Sequence, residues 1–117
     1  MYKKYIPLLV ALIVIGLVVI LFKGSKSASK VQTVNFKSGD VFFDTTSIKT
    51  KAGTTLLFKV QNSGKHTFVI DELKFKKELP EGASEFKLEV KKKGVFTYYC
   101  DVSGHRKAGQ FGTLFVE

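Results

Sequence analysis

Apolar and polar residues alternate along several short segments of the chain from residue 31 onward. Phe86, Leu88 and Val90 fall on one face of such a segment, with charged residues between them. A period of two residues is typical of a β-strand that buries one face. The pattern predicts seven or eight short strands separated by turn-forming residues, which favours an all-β fold of two packed sheets. The predicted strands are residues 31–36, 41–43, 47–51, 55–60, 66–70, 84–90, 95–100 and 113–116.

Residues 71–79 do not follow this alternation. The sequence leaves three interpretations of them open, namely a loop, a short strand around Lys74 and Phe75, or a single helical turn. Because no segment after residue 30 shows a convincing helical period, nothing else competes with the β-sandwich.

Residues 6–22 form a different pattern, a continuous apolar run without a charged residue. At a rise of ~1.5 Å per residue, a helix of this length spans ~25 Å, close to the thickness of a bilayer core. Tyr and Lys residues flank the run, as is usual at membrane interfaces. We therefore predict a single N-terminal transmembrane helix within a membrane anchor at residues 1–23. A cleaved secretion signal is the alternative, although residues 27–29 match a cleavage site only loosely.

A short polar segment, residues 24–30, separates the predicted anchor from the domain. It is rich in Ser and Lys and has no apolar pattern, which is typical of a flexible tether. The remaining residues, 31–117, form one small domain. The chain contains a single cysteine, which excludes an internal disulfide. A bound metal ion would stabilise so small a domain in its place.

The chain is basic, with 19 Lys and Arg residues against 10 Asp and Glu residues and a formal net charge of +9. Four of the lysines precede residue 30, so residues 30–117 carry a net charge of +5. A basic surface attracts an acidic partner. No nucleic-acid recognition motif accompanies the basic residues, so we do not expect the protein to bind nucleic acid.

The residues with the most distinctive chemistry lie near the C-terminus. Cys100 is the only cysteine, His105 follows it by five positions, and Gln110 follows by five more. The second histidine, His66, lies in a predicted strand. Two imidazoles and one thiolate with a weak axial ligand are the donors of a blue copper site. The axial ligand is usually Met, for which Gln can substitute, and Met1 is the only Met here. The sequence therefore predicts one copper ion bound by His66, Cys100, His105 and Gln110.

Other interpretations of these residues are less favourable. Zinc uses the same nitrogen and sulfur donors, but Gln is a poor fourth ligand for structural zinc. A binuclear copper centre would need a second cysteine. A lone buried cysteine can also be a small hydrophobic residue, in which case the domain would be an immunoglobulin-like adhesion domain without a metal.

Four segments of the domain share their pattern with a known family. They are residues 40–43, 51–54, 66–70 and 98–114, and in them the domain resembles the cupredoxins, the plastocyanin- and azurin-like copper proteins. The resemblance implies a Greek-key β-sandwich with copper near one end, and it places the same four residues at the ligand positions. Gln110 resembles the axial ligand of stellacyanins. Thr67 stands where many relatives have an Asn that ties the two ligand loops together, and we expect its hydroxyl to replace that Asn in part.

The resemblance implies an electron carrier rather than an enzyme, cycling between Cu(II) and Cu(I), and the apolar run at residues 6–22 predicts that it is tethered to the cytoplasmic membrane. Because the family works outside the cytoplasm, the resemblance also implies that the domain lies on the outer, periplasmic or extracellular, face. The site offers no obvious open coordination position and no acid or base for catalysis. A module that stores copper or delivers it to another protein is the alternative. We expect a monomer.

Docking of a redox partner is predicted near His105, whose ring edge we expect at the surface. Residues 102, 108, 109 and 111 are candidates for a small apolar docking patch. Arg106 and Lys107, within the same loop, and the basic turn at residues 91–93 would steer an acidic partner such as a cytochrome. Tyr99 is a candidate for a second, longer electron route, and a tyrosine that packs on the sandwich surface is the equal alternative. For residues 91–93 the alternative is a solvated turn that aids solubility.

Overall fold

The computed structural model describes residues 30–117, which form nine β-strands and one short 3-10 turn. All eight predicted strands are present, and their bounds differ from the predicted ones by three residues at most. The ninth strand lies in the segment that the pattern left open. Strands β1 to β9 are, in chain order, Val31–Gly39, Phe42–Phe43, Ser47–Thr50, Thr54–Asn62, His66–Ile70, Phe75–Leu79, Gly82–Val90, Gly94–Tyr99 and Phe111–Val116.

The strands form two sheets that pack face to face. One sheet has the order β2-β1-β4-β7, and the other has the order β3-β9-β8-β5-β6. The pairs β1–β4 and β3–β9 are parallel, and the other neighbours are antiparallel. The prediction of an all-β sandwich is confirmed.

The predicted anchor at residues 1–23 and nearly all of the predicted tether lie outside the described residues. Within residues 30–117, no helix has the length and apolar character needed to cross a membrane. The anchor, and the division of the chain into anchor, tether and domain, therefore stay predictions.

Residues 71–79 contain both a helical turn and a strand. The 3-10 turn covers Asp71–Leu73, and the left-handed residue Lys74 (φ 51°) leads into β6. β6 is an edge strand, and only its two ends, Phe75 and Leu79, are withdrawn from solvent. Charged residues in the middle of an edge strand discourage further pairing, and they also erase the alternation that would have predicted the strand.

An aromatic cluster fills the space between the sheets and ends at the candidate ligands. Phe68 on β5 and Tyr98 on β8 stack with their ring centroids 5.1 Å apart. Because side chains alternate along a strand, His66 shares the inward face with Phe68, and Cys100 shares it with Tyr98. Offset aromatic pairs stabilise a core beyond their buried area. The other rings that pair within the cluster are Phe36, Phe43, Phe58, Phe75 and Phe86.

Tyr98 is held by one glycine and one carbonyl. It pairs with Gly112 across β8 and β9, and a methyl group at Gly112 would overlap the Tyr98 ring. The Tyr98 hydroxyl donates a 2.7 Å hydrogen bond to the Thr45 carbonyl, and burial raises the pKa of Tyr98. A glycine is therefore required where β9 passes the ring.

The substitution Gly112→Ala tests this requirement. We expect the free energy of unfolding to fall by about 1–3 kcal/mol, because the added methyl group displaces Tyr98 from its stack. Denaturant unfolding measures the change. Gly39→Ala is the control, since a Cβ there makes only ordinary contacts of 3.8 Å with Ser63. Equal loss of stability in both variants would contradict the steric argument.

Candidate metal centre

The two histidines and the cysteine come together at one end of the sandwich. His66 is the first residue of β5, and Cys100 directly follows β8. Because β5 and β8 are antiparallel neighbours, with Val69 opposite Tyr99, the start of one strand lies beside the end of the other. The loop from β8 to β9 returns His105 to the same place. One nitrogen of each histidine and the cysteine sulfur lie within 4.8 Å of one another.

Gln110 completes this group of side chains. Its Oε1 lies 3.0 Å from Nδ1 of His66 and 3.1 Å from Nδ1 of His105. The Cys100 Sγ lies 3.5 Å from the same Nδ1 of His105. Cys100 and Gln110 are fully buried and His66 is nearly so, whereas His105 is partly exposed. Two imidazole nitrogens, one sulfur and one amide oxygen therefore face one another at the edge of the core.

The orientation of the Gln110 amide is fixed from the opposite side. Its Nε2 donates to the Phe42 carbonyl at 3.2 Å and to the Ser38 hydroxyl at 3.1 Å. A carbonyl can only accept, so Nε2 must point toward Phe42 and Oε1 toward the histidines. Ser38 and Phe42 were not predicted as part of the site. They lie 72 and 68 positions before Gln110, and no local pattern connects them with it.

Phe42 is positioned by a turn with an unusual backbone. Asp40 and Val41 join β1 to β2 and both have left-handed backbones, with φ of 44° and 60°. Two such residues form a hairpin turn in which Gly and Asn are favoured, and a β-branched Val is strained there. The prediction that a strand begins at residue 41 is wrong by one position, because Val41 belongs to the turn.

The family model of the cupredoxin-like domain matches residues 9–113, most of the chain. This chain belongs to the cupredoxin family. The fold, the order of the four side chains along the sequence and their meeting point at one end of the sandwich all agree with that assignment.

Solved structures show the same fold. Auracyanin A, a blue copper protein from the green thermophilic photosynthetic bacterium Chloroflexus aurantiacus, has a TM-score of 0.62 at 17% identity, covering 74% of this chain and 99% of its own. Oxidised plastocyanin from Dryopteris crassirhizoma has a TM-score of 0.55 at 25% identity, covering 74% and 100%. Copper nitrite reductase from Nitrosomonas europaea has a TM-score of 0.60 at 18% identity, covering 75% and 42%. Among curated protein sequences, none matches this chain.

The residues of this cupredoxin fit a blue copper site. A thiol, two imidazoles and an amide oxygen are the donor set that such a site uses, and the amide is already turned so that its oxygen faces the histidines. The prediction of copper as the cofactor is confirmed by the family. That His66, Cys100, His105 and Gln110 are the four ligands stays a prediction.

Thr67 connects the two segments that carry the candidate ligands. Its backbone N–H donates to Cys100 Sγ at 3.4 Å. Its hydroxyl donates to Asp101 Oδ1 at 2.7 Å and accepts from the Asp101 N–H at 2.9 Å. The Thr hydroxyl thus forms a cross-link between β5 and the ligand loop of this cupredoxin, as expected from its position after the first histidine.

Asp101 is a residue of the site that was not predicted. Lys76 on β6 lies 2.8 Å from its Oδ2. The Lys76 ammonium and the Thr67 hydroxyl hold the pKa of the Asp101 carboxyl below its ordinary value. The only sequence signal for Asp101 is its position directly after Cys100, and the strand that carries Lys76 had been left undefined.

The loop around His105 presents a mixed apolar and basic surface. Phe111 is 48% exposed, and Ala108 and Gly109 are exposed beside it, whereas Val102 packs against the core. The Arg106 guanidinium lies 4.2 Å from the centre of the Tyr99 ring. A groove of about 740 Å³ runs along this surface, lined among others by Tyr99, Arg106, Lys107 and Phe111.

The basic turn at residues 91–93 lies elsewhere on the cupredoxin. It precedes Gly94, the first residue of β8, whereas Cys100 follows the last residue of the same strand. At about 3.3 Å per residue, the six-residue strand places roughly 20 Å between them. The turn is therefore at the opposite end of the sandwich from the candidate ligands.

The substitution Val41→Gly tests the strain in the turn that positions Phe42. Removing the strain of a Val in the left-handed conformation should raise the free energy of unfolding by about 1–3 kcal/mol. The greater conformational freedom of Gly in the unfolded chain should lower it by about 0.5–1 kcal/mol. We expect a net gain of about 1 kcal/mol in the free energy of unfolding, measured with denaturant.

Val31→Gly is the matched control for this variant. Val31 is 60% exposed and lies in β1 with an ordinary strand backbone, so the same substitution there should destabilise the protein. A loss of stability in Val41→Gly as large as that in Val31→Gly would contradict the assignment of strain to Val41.

Proposed function

We propose that this cupredoxin is a monomeric one-electron carrier with a mononuclear type 1 copper centre held by His66, Cys100, His105 and Gln110. The observation that carries the proposal is the convergence of these four side chains, with the Gln110 amide oxygen turned toward both histidines. When bound, copper would supply a centre that alternates between Cu(II) and Cu(I).

The contribution of the chain is to hold the donors still. The ligand loop is closed by backbone hydrogen bonds from Cys100 N to Gln110 O at 3.1 Å and from Gln110 N to His105 O at 3.0 Å. A further bond from His105 N to Val102 O, also 3.0 Å, fixes the turn between them. Donors that cannot move keep one geometry for both oxidation states, which is what rapid exchange of a single electron requires.

A carrier is favoured over an enzyme because the fourth donor comes from the protein itself. Gln110 Oε1 occupies the position beside both histidines that a substrate would need, and Gln110 is fully buried. The nitrite reductase that shares this fold is an enzyme, but its chain is more than twice as long as the region matched here. A copper-delivery module is disfavoured because Cys100, Gln110 and His66 are buried, whereas delivery requires accessible ligands.

We place partner docking at the loop that carries His105. His105 is partly exposed, Phe111 offers an apolar contact, and Arg106 and Lys107 supply positive charge in the same loop. Such a surface is complementary to a redox partner with an acidic face. The apolar run at residues 6–22 supports a tether to the cytoplasmic membrane. The outer face is proposed for the domain because the cupredoxin resemblance implies it, and not because of the run itself.

The copper centre is tested by titrating the full chain with Cu(II). We expect one equivalent to produce an intense thiolate-to-copper absorption band that disappears on reduction, and Cys100→Ser to abolish it. Gln110→Met should shift the band and raise the reduction potential, because a thioether favours Cu(I) more than an amide oxygen does.

Gln61→Met is the control for the axial ligand, since Gln61 is exposed on the other sheet. It should leave the band and the potential unchanged. A colourless protein, or a Cys100→Ser variant with the same spectrum as the wild type, would refute the copper centre.

Electrostatic docking is tested with the double variant Arg106→Glu/Lys107→Glu and the anionic oxidant ferricyanide. The wild-type rate should fall as ionic strength rises, and the variant should react about tenfold more slowly at low ionic strength. Lys92→Glu/Lys93→Glu makes the same change of charge at the opposite end of the sandwich. If both double variants slow the reaction equally, only the net charge matters and the docking surface is misplaced.

A further inference from the structure

The Thr67 hydroxyl has one hydrogen and lies near two acceptors of different strength. Asp101 Oδ1 is 2.7 Å from Thr67 Oγ1, and Cys100 Sγ is 3.7 Å from it. A hydroxyl donates one hydrogen bond at a time. The carboxylate and the sulfur therefore compete for the same hydrogen.

The distances decide this competition in favour of Asp101. A separation of 2.7 Å to a carboxylate oxygen is typical of a charge-assisted hydrogen bond, one of the strongest kinds. The Asp101 N–H approaches the same hydroxyl oxygen at 2.9 Å, so the two residues form a closed ring of reciprocal hydrogen bonds. Cys100 Sγ then accepts from the Thr67 backbone N–H, at 3.4 Å, and not from the hydroxyl.

Lys76 holds the Asp101 carboxylate in this position. Its Nζ lies 2.8 Å from Oδ2, the oxygen that Thr67 leaves free. The Lys76 and Asp101 side chains are 54% and 33% exposed, so the ion pair adds little to stability. Its geometric effect is the larger one, because it keeps Oδ1 directed toward Thr67.

We propose that Asp101 is a positioning residue that withholds the Thr67 hydroxyl from the Cys100 sulfur, so that the thiolate accepts one hydrogen bond instead of two. The inference rests on the proposed copper centre and deepens it. A hydrogen bond to the cysteine sulfur draws electron density away from copper, and such bonds are one of the means by which proteins tune the potential of a blue copper site. Withholding one keeps the potential low, the same direction as an axial amide oxygen.

A double-mutant cycle with Thr67→Val and Asp101→Ala separates this effect from the charge of Asp101. Thr67→Val in the wild-type background removes the cross-link to Asp101 but no hydrogen bond to the sulfur, so it should shift the thiolate-to-copper band and the potential less than the same substitution does in the Asp101→Ala background. The Asp101→Ala variant frees the hydroxyl, so its band should move to higher energy and its potential should rise. Thr67→Val in the Asp101→Ala background should then reverse part of both shifts.

Within each background, the two proteins compared differ only at residue 67 and have the same residue at position 101. The charge of residue 101 therefore does not contribute to the measured effect of Thr67→Val. Thr97→Val is the control, since it removes a hydroxyl from the outward face of β8 and should have no effect in either background. Equal shifts on Thr67→Val in the two backgrounds would overturn the inference.

A measurement on the metal-free wild type makes the test independent of how well the variants fold. Thr67 is only 6% exposed, so we expect its hydroxyl proton to exchange slowly in the nuclear magnetic resonance spectrum and to show through-space contacts to Asp101. Contacts of that proton to the Cys100 side chain instead would overturn the inference. A wild-type protein without the copper band would refute the copper centre and this inference together. A normal band, with the same effect of Thr67→Val in both backgrounds, would refute the inference alone.

Discussion

The antiparallel pairing of β5 with β8, fixed by the stack of Phe68 on Tyr98, is the constraint on which the centre depends. Each ring lies two residues from a candidate ligand on the same strand face, so the register that stacks the rings also brings His66 beside Cys100. A slip of one residue in either strand would turn the candidate ligand of that strand to the opposite face. The aromatic core therefore determines where His66 and Cys100 lie. The loop from β8 to β9 brings the other two candidate ligands, His105 and Gln110, to the same place.

Gln110, the candidate fourth ligand, links the five-stranded sheet to the four-stranded sheet. Gln110 precedes β9 in the five-stranded sheet, yet its amide nitrogen is bound by Ser38 of β1 and by the Phe42 carbonyl of β2 in the four-stranded sheet. A metal held by Gln110 and both histidines would thus brace the two layers against each other. Metal binding of this kind contributes to folding free energy, which a small domain without a disulfide can use.

Much of this arrangement was accessible from the sequence, and the exceptions have physical causes. The alternation of apolar residues located eight strands, and the spacing of Cys100, His105 and Gln110 located the candidate centre. Ser38, Asp101 and Lys76 were not identified, because their roles arise from side-chain contacts between segments that are distant in the chain. β6 was left open because an edge strand buries only its ends, and Val41 was misplaced because a strained turn contradicts the preference of its own residue type.

The complete burial of Cys100 has a consequence for the chemistry of its thiol. An unpaired thiol in an oxidising medium ordinarily reacts with a second chain or with small oxidants, at a rate set by the access of the reagent to the sulfur. Here the sulfur lies beneath Thr67 and the His105 loop, so two folded copies cannot bring their thiols into contact. The same burial that shapes the donor set thus protects the chain from covalent dimerisation, and the protection lasts as long as the loop stays closed.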